Sequence, residues 1–173
     1  MQNNSVEDEA VDDQFILFEL AGEPYGIDIE MVHEVVPLKG VSRVPQAPDY
    51  IAGVINLRGY AIPVIDLAKR FNIGAVNPAR ASRIIILETE EQILGIAVDK
   101  VFEIVTIEEE SIEPPSALIR GAIRSEFLIG FAEVDEALVK ILDLEEVFSQ
   151  EEISEIGVVD DKGAEQAGED NRG

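Results

Sequence analysis

The chain has no cysteine, no tryptophan and a single histidine, His33. Without thiols there is no disulfide and no thiolate metal site, which fits a reducing compartment. With one imidazole there is no His-x-x-x-His metal pair, and a nucleophile would have only His33 as its base. No EF-hand spacing or P-loop appears, so neither a metal nor a nucleotide cofactor is expected. Basic residues are scarce. Thirteen Lys and Arg face 36 Asp and Glu, for a net charge of −23. A surface of that sign repels a phosphate backbone and an anionic bilayer, so neither nucleic acid nor membrane is an expected partner. No apolar run approaches the ~20 residues that would cross a bilayer, so direct membrane insertion is not expected. The polar, acidic start reads as neither signal nor transit peptide.

The acids crowd the ends. Residues 1–13 hold five acids and no bases, and residues 145–173 hold ten acids and two bases. Residues 1–13 and 157–173 read as disordered, solvated tails, which leaves 14–156 as the folded domain. Within it, β-branched residues dominate short runs. Phe15–Phe18 and Ile84–Leu87 are continuously apolar, as in strands buried on both faces. Ala21-Gly22-Glu23-Pro24 predicts a hairpin between 15–20 and 25–29. Leu57-Arg58-Gly59-Tyr60 predicts another, between 53–56 and 61–67. Pro63 cannot donate to a ladder, so its strand is expected at an edge or beside a bulge. Helical signal is confined to Glu30–Glu34, Leu67–Phe71 and an amphipathic stretch, Leu144–Ile156.

The sequence also repeats. Tyr25–Val36 aligns with Leu94–Val105 at an offset of 69, with five identities among twelve pairs. The same offset places Phe15–Glu19 on Ile84–Glu88, and His33 on Phe102. An offset of 68 places Ile51–Ile55 on Ile119–Ile123, and each half ends in Asp-Leu, at Asp66-Leu67 and Asp143-Leu144. Two similar units of about five short strands predict two small β-barrels sharing an apolar interface. The mating of His33 with Phe102 points to a structural or surface position rather than a catalytic base. Glu108-Glu109-Glu110 reads as a solvated loop. The competing class, a small-molecule barrel or an enzyme using clustered carboxylates, would require a deep polar pocket.

The stretch Val41–Phe71 is the most distinctive. Pro45 and Pro48 stiffen a connection, Gly53 permits close backbone approach, and Arg58 is a lone cation in an apolar hairpin. Two readings of Arg58 stand open. Its donors can satisfy loop carbonyls and pin the turn, or it can make a contact at an interface core.

Arg43-Val44-Pro45, Ala47-Pro48, Ile51, Gly53-Val54-Ile55-Asn56-Leu57-Arg58-Gly59 and Pro63-Val64-Ile65-Asp66-Leu67 resemble the hallmark of the CheW family of chemotaxis coupling proteins. Tyr25-Gly26-Ile27-Asp28-Ile29 and Gly95–Val101 extend the resemblance over about 14–150. It implies a mainly β fold of two SH3-like five-stranded β-barrel subdomains around a shared hydrophobic core, with short helices and a C-terminal helix. It also implies no catalysis. The expected role is a cytoplasmic adaptor, at receptor arrays beneath the inner membrane, joining the cytoplasmic tips of chemoreceptors to the regulatory domain of the histidine kinase CheA. A non-flagellar pathway controlling pili, gliding or development is the alternative. By resemblance, Glu34, Arg58, Val101 and Gly95 belong to receptor coupling, and Val32 and Gly53 to kinase binding. A receiver domain of ~120 residues, as in the related CheV proteins, does not fit in the remaining tail.

Overall fold

The computed structural model describes residues 12–90, 92–115 and 125–148. Residues 1–11 and 157–173 of the expected tails, the repeat stretch 119–123 and the helix expected beyond residue 148 lie outside them, whereas Asp12 and Asp13, expected in the N-terminal tail, are paired on the first strand with Glu108 and Ile107.

Ten strands form two five-stranded sheets. In chain order they are β1 (Asp12–Leu20), β2 (Glu23–Asp28), β3 (Val32–Pro37), β4 (Ile51–Leu57), β5 (Tyr60–Asp66), β6 (Arg83–Glu88), β7 (Ile93–Val98), β8 (Lys100–Glu108), β9 (Leu128–Val134) and β10 (Ala137–Leu142). One sheet runs β8-β1-β2-β10-β9 and the other β3-β6-β7-β5-β4. Each closes on itself. Ser42, just beyond β3, exchanges two backbone hydrogen bonds with Val54 of β4, at 2.9 and 2.7 Å. Glu113, just beyond β8, does the same with Phe131 of β9, at 2.8 and 2.7 Å. The second sheet forms the β6 barrel and the first the β1 barrel, each named for the strand next to its β3 or β8 edge.

The sequence repeat is therefore not the barrel. Each half gives a hairpin to one barrel and three strands to the other. β1 and β2 pair with β8, β9 and β10, whereas β6 and β7 pair with β3, β4 and β5. The exchange repeats in detail. β3 and β8 are irregular at the same place, at Val32/Glu34 and opposite Ile16/Phe18. The inner strands meet in parallel, Val64 on Gly95 and Ile141 on Gly26. Past β8 the offset changes. β4 corresponds to β9 by a shift of 77, Ile51 to Leu128, with the same irregularity after the first pair. The counterpart of Ile51–Ile55 is therefore Leu128–Ala132 and not Ile119–Ile123.

Two other expectations need correcting. Pro63 is on an inner strand, since β5 lies between β7 and β4, and the bulge falls on β4 at Ala52, across from Val64 and Ile65. The proline is tolerated because its partner Val54 turns its N–H and C=O away, to Ser42. Pairing with β7 begins only at Val64. At Glu30–Glu34 there is one 3-10 turn, Ile29–Met31, after which Glu34 is already on β3.

Both barrels drain into one core. Ile16, Phe18 and Leu20 of β1 pack in the same cluster as Ile84–Leu87 of β6, all buried. At about 2 kcal/mol for each fully buried Ile or Leu, this shared layer holds the two barrels together as one fold. A smaller cluster, including Phe15, Leu17, Val139 and Ile141, fills the β1 barrel. Helix α1 (Leu67–Arg70) is capped by Asp66, whose carboxylate accepts from the Lys69 and Val76 N–H groups. Helix α2 (Leu144–Val147) is capped by Asp143. At the joint, the Arg70 guanidinium lies over the Tyr50 and Phe127 rings, 5.4 and 4.9 Å from their centroids. It donates two hydrogen bonds, of 3.1 and 2.8 Å, to the Val147 carbonyl. Tyr50 and Phe127 are repeat mates, as are Arg70 and Val147, so Arg70 sits where the two halves meet.

Candidate interaction site

The site grows from the closure of the β6 barrel. Gly53 is buried at φ 151° against Ser42, and a Cβ there would run into the Ser42 carbonyl oxygen. Gly130 repeats this against Glu113. Glycine at these two points lets each barrel close. Beyond Gly53, β4 turns into β5 through Arg58-Gly59. Both residues have positive φ, 51° and 90°, which is a type I′ hairpin geometry. Asn56 Oδ1 accepts the Gly59 N–H at 2.9 Å and fixes the turn.

The turn aims Arg58 back across the barrel's closure to β3. Its Nη1 and Nη2 donate to one Glu34 oxygen, at 2.8 and 2.6 Å. Among the described residues neither donor goes to a loop carbonyl, which corrects the turn-pinning reading. The Arg58 side chain stays 62% exposed, and Glu34 27%. An ion pair this exposed is worth about 0.2–1 kcal/mol, so it orients the guanidinium more than it stabilises the fold. Val32, two residues before Glu34 on β3, is half-buried and packs against the shared core.

The structure brings Val32, Glu34, Gly53 and Arg58 to one barrel. Gly95 is in the same barrel but inside it, paired with Val64 and Ile86. A Cβ there would lie 2.6 Å from Ile84 Cγ2. Any part it takes in coupling must pass through packing. Val101 is on β8, in the other barrel. His33 is exposed beside Glu88, Nδ1 to Oε1 at 3.5 Å, and its mate Phe102 is 44% exposed. Apolar side chains also reach the surface at Val35, Tyr60, Ile104, Ile129 and Leu138. Sequence reasoning missed this set; alternation along the strands carried the only signal for it. Among the described residues no three His, Asp or Glu side chains gather to hold a metal ion.

Residues 14–152 match the CheW-like domain. The chain belongs to this family. Among CheW relatives, the chemotaxis protein CheW of Klebsiella aerogenes is 34% identical over 147 residues, 84% of this chain and 87% of that one. The chemotaxis protein CheW of Treponema pallidum is 32% identical over 147 residues, 83% and 86% of the two chains. The crystal structure of the scaffolding protein TtCheW from Thermoanaerobacter tengcongensis superposes with a TM-score of 0.74 at 42% identity. That match covers 82% of this chain and 90% of the other. The expected CheW-like fold, mainly β with two five-stranded units, is therefore borne out. No helix of the described residues is long and apolar enough to cross a membrane.

Proposed function

We propose that this chain is a non-catalytic chemotaxis scaffold that couples the cytoplasmic tips of chemoreceptors to the regulatory domain of the histidine kinase CheA. It would work in the cytoplasm, at receptor arrays beneath the inner membrane. The domain is 12–156, since Asp12 and Asp13 already pair on β1, with the acidic tails 1–11 and 157–173 outside it.

The observation that carries this reading is the Arg58–Glu34 pair. An arginine held by both Nη atoms, yet 62% exposed, is poised for a second partner. Arginine is favoured at interface centres because its fork is preorganised and weakly hydrated. The exposed apolar Tyr60 lies two residues on, at the start of β5. In this assignment Glu34 and Arg58 meet the receptor directly, Val32 and Gly53 shape the kinase-facing end of the β6 barrel, and Val101 and Gly95 act on coupling from the second half. Scaffolding changes kinase activity only through preferential binding of one kinase arrangement. Pull-down of the folded protein with a receptor cytoplasmic fragment and with the CheA regulatory domain tests this. Capture of both is expected, and failure to capture either one defeats it.

A further inference from the structure

The repeat allows one end of the β6 barrel to be compared, residue by residue, with the same end of the β1 barrel. Glu34 on β3 corresponds to Glu103 on β8, by the 69-residue offset that aligns the two strands. Arg58 corresponds to Asp135, by the 77-residue shift that aligns the β4–β5 and β9–β10 hairpins. The turns match in backbone as well, with Asp135 and Glu136 at φ 51° and 68°. Where the β6 barrel holds an ion pair, the β1 barrel therefore holds two carboxylates. Neither Glu103 nor Asp135 has a cation partner within 4 Å among the described residues.

Side-chain size differs in the same place. Val134 stands for Leu57, Ala137 for Tyr60 and Val139 for Ile62. Each is the smaller residue of its pair. An open depression of about 630 Å³ lies there, and Glu103, Asp135, Val134, Ala137 and Val139 all line it together with Leu17. Its floor is apolar and buried, Leu17 at 5% and Val139 at 1% exposure. Its border also carries Glu19, the cation Lys100, and Glu23, which is already paired with Lys140 at 3.6 Å.

We infer that this end of the β1 barrel is a docking site for a partner protein loop that presents an arginine beside an apolar side chain. The guanidinium takes, from outside, the place that Arg58 fills within the β6 barrel, and bridges Glu103 and Asp135. A fork of five donors can serve two carboxylates at once, and the apolar neighbour fills the volume that the smaller side chains leave. The chemistry is complementary in charge and in size. The site is separate from the Arg58 face and shares with the proposed coupling set only Val101, which lines its border.

The test uses the full-length, isotope-labelled chain and the peptide acetyl-Leu-Arg-Gly-Tyr-amide, which has the sequence of the β4–β5 turn. Amide resonances of Glu103, Val134 and Asp135 are expected to shift saturably, with a dissociation constant on the order of millimolar for so small a ligand. The same peptide with citrulline, a neutral isostere of arginine, is expected to bind at least about tenfold more weakly. Glu103→Gln with Asp135→Asn, and separately Asp135→Arg, are each expected to abolish the shifts while the remaining spectrum shows an intact fold. Equal binding of the citrulline peptide, shifts that survive these variants, or no saturable shift at this end of the barrel would overturn the proposal. Concentration-dependent broadening of the same amides without peptide would also overturn it, because the occupant would then be a second copy of this chain.

Discussion

The two barrels share strand order, irregularities, closing glycines and capped helices, yet differ at the end where β3 and β8 begin. In the β6 barrel that end is filled by Leu57 and Ile62 and held by Arg58 on Glu34. In the β1 barrel it is hollow and acidic. What the barrels have in common is dictated by backbone geometry and a shared core. What separates them is a handful of side chains, and among these the exposed Arg58–Glu34 pair costs the fold little when it is lost. Such positions are free to serve recognition, and the closing glycines are not.

The comparison can be broken first at the glycines. Gly53→Ala and Gly130→Ala each force a Cβ onto a backbone carbonyl, and at Gly53 also impose positive φ. Each is expected to destabilise by about 3 kcal/mol or more, read as a lowered denaturation midpoint. Comparable losses at the two sites support the equivalence of the closures, and a large loss at only one contradicts it. The caps should come next. Asp66 is 5% exposed and accepts hydrogen bonds from both α1 and the loop at Val76, whereas among the described residues Asp143 accepts only from the first turn of α2. Asp66→Ala should therefore cost about 2–3 kcal/mol and Asp143→Ala about 1 kcal/mol, by the same measurement.

The ion pair sharpens the contrast from the other side. A double-mutant cycle on Glu34→Ala and Arg58→Ala should return a coupling of less than about 1 kcal/mol, because the pair is solvent-exposed. A coupling of several kcal/mol would make Arg58 a structural residue. The smallest effect concerns alkaline pH. Tyr25 of β2 has Leu94 as its mate on β7, so this titration belongs to the β1 barrel alone. Burial, helped by the charge of Glu23, pushes the Tyr25 phenol up to about 12. The folded state thus holds that proton more tightly than the unfolded chain, whose tyrosines titrate near 10. Its contribution is full below pH 10 and fades as pH rises toward 12. The difference in tyrosinate absorbance between the wild type and Tyr25→Phe should appear near pH 12.

Much of this comparison was legible in the sequence, and the remainder fails for definable reasons. The apolar runs of β1 and β6, the hairpins at Ala21-Gly22 and Arg58-Gly59, and the offset of 69 follow from alternation and turn chemistry. The exchange of strands does not, because similarity shows which segments are equivalent and not which segments pair. The second offset departs from 69 because the connection from β8 to β9 is longer than that from β3 to β4. The Gly-containing stretch 119–123 lies nearer that spacing than the true counterpart, Leu128–Ala132. Arg58 stands out already as the lone cation of its hairpin, and Glu34 only through the family resemblance. Their pairing across 24 residues has no local signature, since barrel closure alone brings β3 to the β4–β5 turn. Glu103 and Asp135 were hidden for the same reason, among many carboxylates.

The central claim is that the exposed Arg58 face couples receptor to kinase while the fold bears the load elsewhere. Its most direct test is titration of Arg58→His and the wild type with a receptor cytoplasmic fragment, alongside their unfolding curves. The account predicts receptor affinity at least about tenfold lower, with a stability change below about 1 kcal/mol. Unchanged affinity, or loss of affinity only together with unfolding, would contradict it.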